Sequence, residues 1–114
     1  MQRFYEGSQM TRLSVNLNKI ALLRNQRDID IPNVPDAART VIKAGAYGIT
    51  VHPRPDERHI KYSDVFDLAE VISVEFNIEG NPFLGRYMEI VSQVKPDQAT
   101  LGPDAPVFAP GLVA

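Results

Sequence analysis

Ala44-Gly-Ala-Tyr-Gly-Ile-Thr-Val-His52-Pro-Arg54 decides how this chain folds. Gly45 supplies the left-handed stop that ends a helix, Tyr47 to Val51 is a compact apolar strand, and His52 opens a polar loop. Upstream, Thr11 to Leu17 is a β-type run rich in branched residues, and from Asn18 a polar and then helical-looking segment begins. A polar stretch from Arg24 to Asn33 leads to Pro35 at a first helical position, Asp36 in the first turn, and an apolar stripe of Ala37, Ala38, Val41 and Ile42. Strand, helix and strand follow one another.

Downstream the pattern repeats. After a polar loop from His52 to Tyr62, Ser63 reads as the N-cap of a helix carrying Val65, Phe66, Leu68, Ala69 and Ile72, and Ser73 to Ile78 reads as a third strand. Phe83 to Val94 places Leu84, Tyr87, Met88, Val91 and Val94 on one helical side, with Gly85 as a weak point; Pro96 ends it and Gln98 to Leu101 is a fourth strand. Strands alternating with helices imply parallel βαβ units with right-handed crossovers. An open doubly wound sheet binds its ligand at a switch point, whereas a TIM (β/α)8 barrel carries polar residues beyond the C-terminal end of every strand. Asn16 and Asn18, then His52, then Glu79 fit the barrel. A complete barrel takes ~250 residues, so a chain of 114 holds about the first four βα units. The expected plan is a loose extension over residues 1–10, with Met10 as a second possible start, a half-barrel over 11–104, and a divergent Pro- and Gly-rich tail over 105–114.

Composition narrows the partners. A chain 44% hydrophobic and 23% charged is an ordinary globular protein. Its formal net charge of −2 gives no footprint for nucleic acid or an anionic membrane, which leaves small molecules and other protein chains. Without cysteine there is no disulfide framework and no thiolate metal site. No apolar run approaches the ~18 residues of a membrane span, and Met1 to Gln9 lacks the charged-then-apolar layout of a signal peptide. A cytoplasmic location is expected.

The densest reactive cluster is His52-Pro-Arg54-Pro-Asp-Glu-Arg58-His59. Arginine forks match phosphate oxygens and histidine moves a proton near neutral pH, so the loop suits a phosphorylated substrate. The blander alternative is a solvated loop in which Asp56 and Glu57 pair with Arg58. Glu79 leaves the third strand, with Gly80 allowing a sharp turn, and partial burial would make it a general base; otherwise it is an exposed loop glutamate. Asn16 and Asn18 point to one side by the two-residue period, although Asn18 alone suits helix initiation. Arg24 and Arg27 read as surface residues. A metal set of His52, His59 and Glu79 is disfavoured by the Pro-rich spacing of its histidines, so no metal is expected.

Four segments in order, Val15-Asn16-Leu-Asn18-Lys19-Ile-Ala-Leu-Leu-Arg24-Asn25, Ala44 to Arg54, Arg58-His59-Ile60 and Asn77-Ile-Glu79, resemble the pyridoxine 5′-phosphate synthase family from about Thr11 to Asp104. The resemblance implies a (β/α)8 transferase of vitamin B6 biosynthesis. It would condense 1-deoxy-D-xylulose 5-phosphate with 3-amino-2-oxopropyl phosphate without metal or organic cofactor, and its full-length form would be a homo-oligomer. Residue by residue, it makes His52 and Glu79 proton acceptors. Asn16 becomes the binder of the aminoketone phosphate, Arg27 a further substrate-binding arginine of the first loop, and Arg54 and His59 binders of the deoxyxylulose phosphate. Asn18-Lys19 stands where many members carry Asp-His and is given the same binding role.

The resemblance stops after Leu101. Gly102-Pro-Asp104 replaces a Val-Pro-acid motif, the position of a substrate-binding threonine falls on about Pro110, and no counterpart follows for the family's histidine proton donor or glycine-rich phosphate loops. The expectation is a truncated chain that is inactive alone and self-associates. The alternatives are a half-barrel that complements another chain and one that binds phosphorylated metabolites without catalysis.

Overall fold

Polar and apolar residues alternate along each strand, and that alternation builds a sheet with two unlike faces. The computed structural model describes residues 11–103, so the expected extension 1–10 and tail 105–114 lie outside the described residues. In chain order the elements are β1 (Ser14–Asn16), α1 (Asn18–Asn25), α2 (Val34–Lys43), β2 (Gly48–Val51), α3 (Tyr62–Val71), β3 (Glu75–Gly80), α4 (Tyr87–Val94) and β4 (Gln98–Leu101). All strand pairs are parallel and their spatial order is β1-β2-β3-β4. Because the order never reverses, there is no switch point of the doubly wound kind among the described residues. Four parallel strands side by side in chain order, joined by three helical crossovers, match the first half of a (β/α)8 barrel, left open.

Helix signals explain most boundaries. Asn33 caps α2 by accepting from the Asp36 N–H at 2.8 Å, Pro35 occupies the first turn, and Gly45 leaves the helix end at φ 110°. At α3 the expected serine cap is corrected: the helix begins at Tyr62, and the Asp64 carboxylate accepts from the Lys61 N–H at 2.8 Å. Helix α4 starts at Tyr87 instead of Phe83, because Gly85 turns left-handed at φ 58° and interrupts the helical run. The third strand lies two residues later than expected, so Glu79 is inside β3 and not beyond it.

One face of the sheet is apolar. Ile49, Val51, Phe76 and Ile78 pack with Leu17, Ala21, Val34, Ala38, Val65, Leu68, Tyr87 and Ile90 in a buried core beneath the helices. The other face carries a hydrogen-bonded ladder across all four strands. Ser14 Oγ and Thr50 Oγ1 are 2.7 Å apart, Asn77 Nδ2 donates to Thr50 Oγ1 at 3.3 Å, and Thr100 Oγ1 donates to Asn77 Oδ1 at 2.9 Å. Thr50 and Asn77 are buried, and the ladder satisfies them. The residues that line a closed barrel in this fold class are those that face this way.

Gly80 does not make the sharp turn expected of it. It is the last residue of β3, and a Cβ built there would stand 2.1 Å from Cδ1 of Tyr87. The bare backbone lets the buried Tyr87 ring lie flat on the strand while its hydroxyl donates to the Ile78 carbonyl at 2.8 Å. Gly80→Ala should therefore destabilise the fold by about 1–3 kcal/mol through overpacking. Urea unfolding checks this, and an unchanged midpoint would mean that the ring moves aside freely.

Candidate active site

The C-terminal ends of β1, β2 and β3 bring the candidate residues to one rim. Register pairs Asn16 with Thr50, Thr50 with Asn77, and Val51 with Ile78, so His52 and Glu79 stand level one residue further on. Asn18 continues the ladder with its side chain: its Oδ1 accepts from the His52 N–H at 3.0 Å. The Leu17 N–H donates to the Thr50 carbonyl at 3.1 Å, and Asn16 Oδ1 accepts from the Asn18 N–H at 2.7 Å. Asn18 therefore does not cap α1 with its side chain; it ties the start of that helix to the end of β2.

A cleft of about 330 Å³ opens here, lined by Asn16, Asn18, Lys19 and His59. Those residues come from β1, the first turn of α1, and the 52–61 loop. Burial pushes the His59 imidazole below its ordinary range, and Arg58, Arg54 and Lys19 add to the effect against the opposing Asp56. Three cations thus surround the cleft's histidine. The unfolded chain binds a proton at His59 more readily than the folded one, so this group withdraws stability as pH falls through and below 6.5.

Arg54 is buried, and its Nε makes no hydrogen bond among the described residues, although Asp56 Oδ1 lies 3.5 Å away. Asp56 also pairs with Arg58 at 3.0 Å, as the solvated-loop alternative anticipated. Glu57 does not join them: it adopts φ 53° and accepts from the Tyr62 N–H at 2.8 Å. Glu79 is half-buried on the Asn77 face of β3, and its charge adds to the burial that raises the Tyr87 phenol. Arg27 is exposed in the turn after α1 and does not line the cleft. His52, His59 and Glu79 do not gather into a group that could hold a metal ion.

Arg24 corrects the surface reading. Its guanidinium grips the Asp64 carboxylate through two bonds, 2.6 and 2.8 Å, with side chains only 11% and 6% exposed. The ladder residues Ser14, Thr50, Asn77 and Thr100 also escaped the sequence reading. Their signal is a polar residue at every second strand position, Ser14-x-Asn16, Thr50-x-His52, Asn77-x-Glu79 and Gln98-x-Thr100.

Residues 13–108 match the family model described as "Pyridoxal phosphate biosynthesis protein PdxJ". The chain belongs to that family. It is 58% identical over 96 residues to the pyridoxine 5′-phosphate synthase of Christiangramia forsetii, covering 84% of this chain and 40% of that protein. The corresponding enzyme of Porphyromonas gingivalis is 56% identical over 97 residues, covering 85% and 40%. That of Parabacteroides distasonis is 57% identical over 97 residues with the same shares. The chain therefore spans about 40% of the length of these relatives. No helix among the described residues is long and apolar enough to cross a membrane.

Proposed function

We propose that residues 11–104 are the first half of a cytoplasmic pyridoxine 5′-phosphate synthase, a transferase that joins 1-deoxy-D-xylulose 5-phosphate to 3-amino-2-oxopropyl phosphate. The observation that carries this reading is the convergence of Asn16, Asn18, Lys19 and His59 on one cleft at the strand ends, in a chain of this family. In the proposal Asn18, Lys19, Arg54 and His59 hold the deoxyxylulose phosphate, Asn16 holds the aminoketone phosphate, Arg27 makes a further substrate contact, and His52 and Glu79 accept protons. Schiff-base formation, enolisation and dehydration all need proton acceptors beside anchored phosphates. The remaining proton donor and phosphate loops of the reaction belong to the other half of the barrel. By itself the 114-residue chain binds phosphate at the cleft and does not turn over. In the full-length form the barrels associate as a homo-oligomer.

Titration of the chain with inorganic phosphate, followed by NMR of the His59 ring protons, tests the site. A bound dianion offsets Arg58, Arg54 and Lys19, so the His59 midpoint should rise towards and past its ordinary value. Charge-assisted bonds to phosphate are worth about 1.5–3 kcal/mol, so Arg54→Ala should weaken binding by about tenfold or more. Unaltered affinity in that variant would return the loop to surface decoration.

A further inference from the structure

We propose that Asn25 is a positioning residue, which pins the 52–61 loop to the end of α1 and so fixes where His59 stands in the cleft. Its Nδ2 donates to two consecutive backbone carbonyls of that loop, His59 at 2.7 Å and Arg58 at 3.1 Å. Its Oδ1 accepts from Arg24 Nη2 at 2.7 Å and Nε at 3.1 Å. Arg24 in turn holds Asp64, whose Oδ2 accepts from the Lys61 N–H at the start of α3. The amide of Asn25 therefore has both donors and its acceptor engaged, and flipping it would set oxygen against two carbonyls and nitrogen against a guanidinium.

The geometry makes α1 a splint for both walls of the cleft. Its first turn supplies Asn18 and Lys19, and its last residue grips the loop that supplies His59. The loop between β2 and α3 has no regular structure of its own, and its ends are tied by Asn18 at His52 and by Asp64 at Lys61. Between those ties Glu57 and the buried Ile60 hold other parts of the loop, and Asn25 takes the Arg58-His59 backbone itself. The clamp gives the phosphate reading of the cleft its rigidity, and it deepens that reading without depending on it.

The test uses the 114-residue chain with Asn25→Ala and Asn25→Asp, the second keeping an oxygen for Arg24 while losing the grip on the loop. His59 faces Arg58, Arg54 and Lys19 as depressing cations and Asp56 as the opposing acid, all of which remain in both variants. In phosphate-free buffer the His59 midpoint of Asn25→Ala should move up towards 6.5 as the ring is released to solvent. Nitrogen-15 relaxation should show loosened amides at residues 57–60 in both variants, and inorganic phosphate should bind about fivefold more weakly. Gly80→Ala, destabilised elsewhere, should leave the midpoint and the loop amides in place. An unmoved midpoint with an ordered loop in Asn25→Ala, or equal changes in Gly80→Ala, would overturn the proposal. Should Asn25→Ala fail to fold, the loop amides of Asn25→Asp decide. A parent chain that ignores phosphate would defeat the anion-site reading, and the midpoint and relaxation would still judge the clamp.

Discussion

Glu79→Gln, placed in a complete barrel that carries this segment, should lower ring formation by about 10²–10⁴-fold and leave phosphate binding nearly intact. The amide has the size of the carboxyl and cannot take up a proton. Glu79 lies at the last position but one of β3, level with His52, on the face where Asn77 joins the polar ladder. A backbone inside a strand would hold the proposed general base more rigidly than the loop position expected from sequence. Single-turnover measurement with the two phosphorylated substrates reads the effect. A variant that keeps more than about a tenth of the parent rate would remove Glu79 from proton transfer, since positioned bases contribute about 10²–10⁴-fold.

Arg24→Met should cost about 3–5 kcal/mol of folding stability, because it leaves the Asp64 carboxylate buried with, among the described residues, only the Lys61 N–H to meet it. Single domains hold only about 5–15 kcal/mol in total, so the variant should be largely unfolded at modest urea concentrations. The paired change Arg24→Met with Asp64→Leu removes both charges and should recover much of the loss. Urea unfolding of the parent, both single variants and the pair gives the coupling directly. A loss under about 1 kcal/mol for Arg24→Met would place the bridge among weak surface pairs.

The parts of the fold that were legible in sequence are those whose causes are local. Pro35, Asp36 and Gly45 announce α2 because a fixed φ, an acid in the first turn and a left-handed stop are local signals, whereas the Asn33 cap shows only in the structure. The alternation of strands and helices, and the rim carrying Asn16, Asn18, His52 and Glu79, follow from the same short-range patterns. Arg24 read as surface because its partner lies 40 residues away, beyond any local period. Asn25 was opaque for the same reason, its carbonyl partners being 33 and 34 residues distant. Gly80 suggested a turn, whereas its real constraint is the Tyr87 ring, which arrives from the next helix. Arg27 entered through resemblance alone, and among the described residues nothing draws it to the cleft.

The ladder from Ser14 through Thr50 and Asn77 to Thr100 bears on assembly as well as on the rim. Parallel strands are joined by long crossovers, so no tight hairpin dictates how far one slides along its neighbour. Sliding β3 by one residue would thrust Glu75, Asn77 and Glu79 into oil and lift Phe76 and Ile78 into water, a mistake the hydrophobic effect rejects outright. Sliding it by two preserves every inside and outside, and burial alone is nearly blind to that error. The hydroxyl–amide–hydroxyl sequence is not, since Asn77 would lose Thr50 and Thr100 together. The polar row thus works as a proofreading key for strand alignment, and the same alignment sets His52 beside Glu79.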